Sequence, residues 1–209
     1  MDDIIKLKDK IDAALYRHRN GAAVESMMRM GGQGSQNYGV ELTVIRRIAS
    51  RYAPCQPLAD MLYYSDVREH RLAALYIADP LCFDADKTAS WMRDVATTEI
   101  ADCASQALFC KIPGIIATAL PLIGESPILS HTAIMSAARA LTTCHDMPDA
   151  VTELLKETSK IKERTDHTTL SAFTFMITAL GRAGYAREAS EFIDTLPEES
   201  KRELEWLKE

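Results

Sequence analysis

An all-α fold, an α-solenoid of stacked antiparallel helix pairs, is the class this sequence predicts. Three observations carry that reading. Apolar residues recur at helical spacing, most clearly over Asp66 to Asp79, where Val67, His70, Ala74 and Leu75 share a face with Ile77 and Ala78 at its edge. Similar openings return at Thr97, Ser130 and Asp166, at spacings of 31, 33 and 36 residues, each ahead of a run rich in Ala, Leu and Ile. No segment alternates strictly or gathers β-branched residues between hairpin turns, so strands are not expected.

The elements follow in order. Asp2 to Arg19 predicts a helix with Ile4, Ile5, Ile11, Ala14 and Leu15 as its apolar stripe, broken by Asn20-Gly21. Ala22 to Met30 is a shorter helix whose methionines fill core gaps. Gly31 to Val40 reads as a linker, since no strand precedes its glycines and no Lys-Ser/Thr follows them, as a phosphate-cradling loop requires. Leu42 to Tyr52 buries Val44, Ile45 and Ile48 and projects Arg46, Arg47 and Arg51. Leu58 to Tyr64 opens after Pro57. Asp66 with Glu69 three residues on predicts a capping box for the next helix, which Pro80 stops. Thr88 to Val95 follows a polar FDADK turn, and Thr97 to Lys111 ends before Pro113. Ile115 to Ile123, Ser130 to Cys144, Asp149 to Ile161 and Asp166 to Ala183 continue the pattern. Arg187 to Thr195 and a charged terminal helix, Glu199 to Lys208, finish it, as the polar outer face of a last repeat requires. One domain spanning 1–209 is expected.

Composition narrows the function. The chain of 209 residues is 47% hydrophobic, enough for a real core, and 26% charged, which is ordinary for a globular protein. It has no apolar run long enough to span a bilayer, and MDDIIKLKDKID is acidic, unlike a signal or transit peptide, so a cytoplasmic protein is expected. Five cysteines without a CxxC pair, and histidines without HxxxH spacing, predict reduced core thiols and neither metal nor cofactor. Cys144-His145-Asp146 resembles a nucleophile with helpers, but neighbours along a helix do not face one another. The net charge of −6 excludes a whole-surface nucleic-acid binder. Residues 1–55, however, carry nine Lys/Arg against six Asp/Glu, a net of +3 that leaves −9 on the remainder.

Several stretches together resemble a known family. Tyr38-Gly39-Val40 is followed by Ile45-Arg46-Arg47-Ile48-Ala49, then by Glu69-His70-Arg71 with Leu72-Ala73, then by Trp91 with Asp94, and by Asp102 eleven residues after the tryptophan. In that order they look like the AlkD-type DNA alkylation repair glycosylases, which are HEAT-like helical repeat proteins. The resemblance covers about residues 25–110. It implies excision of cationic alkylpurines from duplex DNA, with Asp102 at the position of the catalytic carboxylate; Arg46, Arg47 and Arg51, read from their charge alone, are either a solvated face or a basic strip for phosphates. A carboxylate near the sugar stabilises the positive charge that develops there, and aromatic faces attract the cationic base. The sequence departs from the family at those aromatics. Thr98 stands one turn before Asp102 where the family has tryptophan, and Phe173 to Leu180, FTFMITAL, contains none. The basic residues usual in the next repeat are missing from Ser130-His131-Thr132-Ala133.

Two functions are compatible with these residues. One is a DNA-binding relative of the repair enzymes, engaging duplex DNA through the N-terminal arginines, with Asp102 catalytic or idle. The other is a non-catalytic scaffold for another protein, in which Asp102 bonds a neighbouring repeat, Trp91 packs between helices, and Glu69 and Arg71 make contacts between repeats.

Overall fold

The computed structural model describes residues 2–29, 36–143 and 147–208. Among these the chain forms thirteen α-helices joined by short turns and no strand; one isolated bridge pairs Gln36 with Val67. It divides into two compact units, residues 1–82 and 83–209. No helix is long and apolar enough to cross a membrane.

The first unit begins with α1 (Asp2–Tyr16), which buries Ile11 and Leu15. It stops short of Arg19 because the chain turns there, His18 N–H donating to the Leu15 carbonyl. Asn20 then caps α2 (Gly21–Arg29), its Oδ1 accepting from Ala23 N–H at 3.2 Å. Helix α2 buries no residue, so Met27 and Met28 do not fill a core, contrary to the expectation, and Met30 lies outside the described residues. Helices α3 (Leu42–Ala49) and α4 (Gln56–Tyr63) both pack on α1 and on α5 (Arg68–Ile77). Ile45, Ile48, Leu58, Leu62, Leu72 and Leu75 form the core between them.

The expected capping box at Asp66 does not form. Val67 is the N-cap of α5 and makes no side-chain cap bond. Glu69 turns inward instead and is fully buried. Its Oε2 accepts from Tyr38 N–H at 3.0 Å and its Oε1 from Val40 N–H at 3.2 Å. Arg68 Nη1 donates to Oε1 at 2.8 Å and to the Val40 carbonyl at 3.2 Å. A carboxylate within reach of orphan backbone donors in the interior satisfies them there rather than at its own helix terminus. Tyr38-Gly39-Val40 and Glu69, neighbours in the sequence pattern, thus meet in space. Gly39 holds φ +70, and a Cβ there would lie 2.3 Å from the Asn20 carbonyl oxygen, so no other residue fits.

The second unit contains α6 (Ala85–Arg93), α7 (Thr98–Ala107), α8 (Ile115–Ala119), α9 (Pro127–Thr143), α10 (Pro148–Ser159), α11 (His167–Arg182), α12 (Ala186–Asp194) and α13 (Glu198–Leu204). Helix α9 lies between α7 and α11 and also touches α6, α8 and α10. It is buried on all sides from Leu129 to Ala138. Its hydroxyls are satisfied within its own backbone: Ser130 donates to Ser126 O, Thr132 to Ile128 O and Ser136 to Thr132 O. Trp91, 1% exposed, meets the Phe83 ring edge-on at 5.0 Å and packs as expected.

Thr97 and Asp166 are true N-caps, accepting from Ile100 N–H and Thr169 N–H. Ser130 is not a cap, because α9 starts at Pro127. Asp84 caps α6 through Lys87 N–H, so this helix includes most of the supposed polar turn. The cysteines are less uniformly interior than expected: Cys103 is buried, Cys55 and Cys110 are half-buried, and Cys82 is exposed. Cys110 lies beyond the end of α7. Burial pushes the Cys110 thiol up, away from reactivity. Cys144-His145-Asp146 and most of the glycine-rich linker lie outside the described residues.

Candidate functional site

In the second unit, the Thr97 cap sets the start of α7 and leaves Thr98 and Asp102 exposed one turn apart. Asp102 Oδ1 lies 2.8 Å from His131 Nε2 on α9. The other ring nitrogen, Nδ1, lies 3.0 Å from the Thr168 carbonyl on α11. A carboxylate and a carbonyl both accept, so the ring must donate from both nitrogens to satisfy both, which is the imidazolium form. Burial opposes that charge, His131 being 2% exposed at its side chain, but the bonds to Asp102 and Thr168 outweigh it. The ring is held above the ordinary histidine range. Ser130-His131-Thr132-Ala133 contains no Lys or Arg, but its histidine is placed between two acceptors that favour the charged ring.

Eight residues along α9, Arg139 reaches the same surface. Its Nε donates to Ser105 Oγ at 3.3 Å, and its guanidinium lies 4.2 Å from the centre of the Phe175 ring on α11. Burial keeps it below the usual guanidinium range, against the attraction of Cys110 and Asp102. Phe175 belongs to FTFMITAL, the stretch without tryptophan, so an aromatic face is present there in a different residue. The site is a carboxylate clamped by a buried imidazolium, beside a stacked arginine. His131, Arg139 and Phe175 carry no motif that singles them out. The legible signal is polar residues on an otherwise apolar central helix.

In the first unit, Arg46 and Arg47 lie on α3, and Arg51 sits in the turn beyond its end rather than one helical turn on. All three are exposed and make no ion pair or side-chain hydrogen bond among the described residues. Nearby, a second histidine is buried: His70 Nε2 donates to Asp12 Oδ1 at 2.9 Å, and Ser65 Oγ lies 2.9 Å from Nδ1. The order hydroxyl, imidazole, carboxylate is that of a hydrolytic triad. Here the Ser65 oxygen also accepts from Val67 N–H, and the ring is buried, so the line of bonds ties α1 to α5. Tyr38 OH donates to the same Asp12 oxygen at 2.8 Å; burial first, and that bond second, push its phenol up to about 12, so it stays a donor. Among the described residues no group of three His, Cys, Asp or Glu could hold a metal ion.

A model of the family described as DNA alkylation repair enzyme matches residues 11–116. A solved structure described as "a new family of proteins related to the HEAT-like repeat DNA glycosylases with affinity for branched DNA structures" is similar to this chain. The TM-score is 0.77 at 14% identity, over 90% of this chain and 82% of that one, a likeness of fold. No curated protein matches. With an all-helical, HEAT-like repeat fold and just over half of its length matched by the family model, the chain belongs to the DNA alkylation repair enzyme family.

Proposed function

We propose that this protein binds DNA through its first unit and does not excise alkylated bases. The observation that carries the reading is the positive balance of residues 1–55, where exposed arginines stand without a carboxylate partner. Lys8, Lys10, Arg17, Arg46, Arg47 and Arg51 have no ion-pair partner among the described residues. Pairing occurs in both units, as at Arg29 with Glu25 and Arg93 with Glu125, but residues 1–55 keep a net charge of +3 against −9 on the remainder. A guanidinium without a partner offers its whole charge to a phosphate and releases that phosphate's counterions. The affinity for branched DNA described for the structural relative supports the same reading.

Catalysis is the weaker half of the inheritance. Excision of a cationic purine needs a carboxylate free to oppose charge at the sugar. The Asp102 carboxylate already opposes the His131 imidazolium, and Thr98 supplies no aromatic face beside it. We expect purified protein to release 7-alkylguanine or 3-alkyladenine from DNA no faster than the spontaneous rate. Release above that rate, abolished by Asp102→Asn, overturns this half. For binding, charge reversal at Arg46, Arg47 and Arg51 should weaken duplex affinity. It should also flatten its salt dependence by about 0.9 in log–log slope for each phosphate the protein no longer neutralises. If affinity and slope are unchanged, the arginines are a solvated face and the protein-scaffold reading replaces this one.

A further inference from the structure

We infer that Tyr16 and Arg19 form a stacking platform for an unpaired nucleic-acid base. The inference rests on the DNA-binding reading and adds which form of nucleic acid the first unit takes. Tyr16, the last residue of α1, leaves 51% of its surface exposed. The Arg19 guanidinium lies over its ring, 4.2 Å from the centroid. The Tyr38 ring meets Tyr16 edge-on, with centroids 5.7 Å apart.

The Tyr38 ring and the backbone beneath this stack are fixed from below. Tyr38 is anchored by its hydroxyl on Asp12, which also takes the His70 bond. The loop carrying Arg19 is pinned on both sides: Arg19 N–H donates to the Tyr16 carbonyl at 3.3 Å, and Asn20 N–H to the Tyr38 carbonyl at 2.8 Å. An exposed tyrosine alone means little, since apolar atoms make up much of any protein surface. An exposed ring with a guanidinium already over its face, on a base of hydrogen bonds reaching a buried histidine, has its ring and supporting backbone in place before any ligand arrives. Binding then requires little further ordering of the side chains.

A guanidinium plane in contact with a ring on one side can take a base on the other, as single-stranded nucleic acids do on aromatic and arginine faces. Bases inside a duplex are stacked on one another and present no free face, so the platform discriminates for unpaired ones. Arg17, two residues before Arg19, and Lys8 and Lys10 on the same helix have no partner among the described residues and can meet the flanking phosphates.

The test uses the full chain and three probes of equal length: a single-stranded thymidine oligonucleotide, a forked duplex with unpaired arms, and a blunt duplex. Tyr16→Leu and Arg19→Leu should each weaken binding of the first two by about 10-fold or more and of the blunt duplex by less than about 2-fold, by the size of a base–aromatic stack. Arg19→Lys, which keeps the charge and removes the plane, should behave like Arg19→Leu. A 2-aminopurine in the unpaired arm should be quenched by the wild type and recover with Tyr16→Leu. Melting curves matching the wild type show that the variants fold. Equal weakening on all probes, or none on any, overturns the platform. If charge reversal at Arg46, Arg47 and Arg51 removes duplex binding while Tyr16 and Arg19 variants bind normally, the DNA-binding reading survives and the platform falls. If the reversal changes nothing while Tyr16→Leu no longer binds the fork, the platform stands and the arginine reading falls. A wild type that binds none of the probes ends both.

Discussion

His70 in the first unit and His131 in the second are both buried, and each reaches a carboxylate on an earlier helix, Asp12 or Asp102. They differ at the other ring nitrogen. His70 faces the Ser65 hydroxyl, which can donate; His131 faces the Thr168 carbonyl, which cannot. A neutral ring therefore satisfies every partner of His70, while only the charged ring satisfies those of His131. Their protonation moves in opposite directions as a result. Burial, helped by Lys8 and opposed by Asp12 and Glu69, holds His70 below the ordinary range. Bonds to Asp102 and Thr168 overcome burial and the repulsion of Arg139 and hold His131 above it. One atom of a neighbour, hydroxyl or carbonyl, decides whether a buried histidine is a neutral tie or a cation.

The largest effect should come from removing the packing on which both ties depend. Leu72 and Leu75 flank His70 on α5, and Leu108 follows the α7 helix of Asp102; all are buried. Truncation of each to Ala should cost about 2–5 kcal/mol in chemical denaturation. Costs below about 0.5 kcal/mol at all three would mean that the helices do not pack as described.

Next in size, Asp102→Ala should cost about 1.5–3 kcal/mol at pH 6, toward the lower end because Asp102 is half exposed. That cost should shrink as pH rises through the pKa of folded His131, since a neutral ring needs one acceptor fewer. Asp12→Ala strands the Tyr38 hydroxyl and the His70 N–H together and should cost about 1–3 kcal/mol, with no such decline above neutral pH. Parallel pH profiles for the two variants would erase the distinction between the histidines. Ser65→Ala, which deletes the donor that suits a neutral His70, should cost about 1 kcal/mol by thermal melting. No side-chain substitution at Thr168 is equivalent, because that bond uses the backbone.

The smallest effect is the curvature of stability with pH in the wild type. A raised pKa contributes stability that is present below about pH 6.5 and is lost as pH rises through the folded value. His131 therefore favours the acid side of its window. A lowered pKa does the reverse: the contribution of His70 is present above about pH 6.5 and is lost as pH falls through its folded value. His131→Gln should flatten the alkaline arm of a melting-temperature profile and His70→Gln the acid arm. Exchanged arms would show that the hydrogen-bond roles are inverted.

Apolar periodicity makes the helices legible in the sequence, because burial of one face fixes their position whatever the local caps. The caps themselves are less legible. Thr97 and Asp166 behave as local chemistry predicts, but Asp66 and Ser130 do not. Glu69, the would-be partner of Asp66, finds backbone donors about thirty residues away in sequence, at Tyr38 and Val40, which no local pattern encodes. The candidate site is legible in the same uneven way. Asp102 stands out only through the family resemblance, and Arg46, Arg47 and Arg51 by their charge. His131 does not, because its charge comes from a carbonyl on another helix. Arg139 and Phe175 likewise acquire meaning only when α9 and α11 lie side by side.

The enclosure of α9 has a consequence for motion. Its amides from Leu129 to Ala138 are covered by other helices, so they can meet solvent only when the second unit opens as a whole. Hydrogen–deuterium exchange there should report the full opening free energy of that unit. Helix α2, with no buried residue, should exchange through local fraying at a small fraction of it. A ligand that engages α7 or α11 would then slow exchange along α9 without touching it, making the central helix a clock for occupancy of the surface on either side.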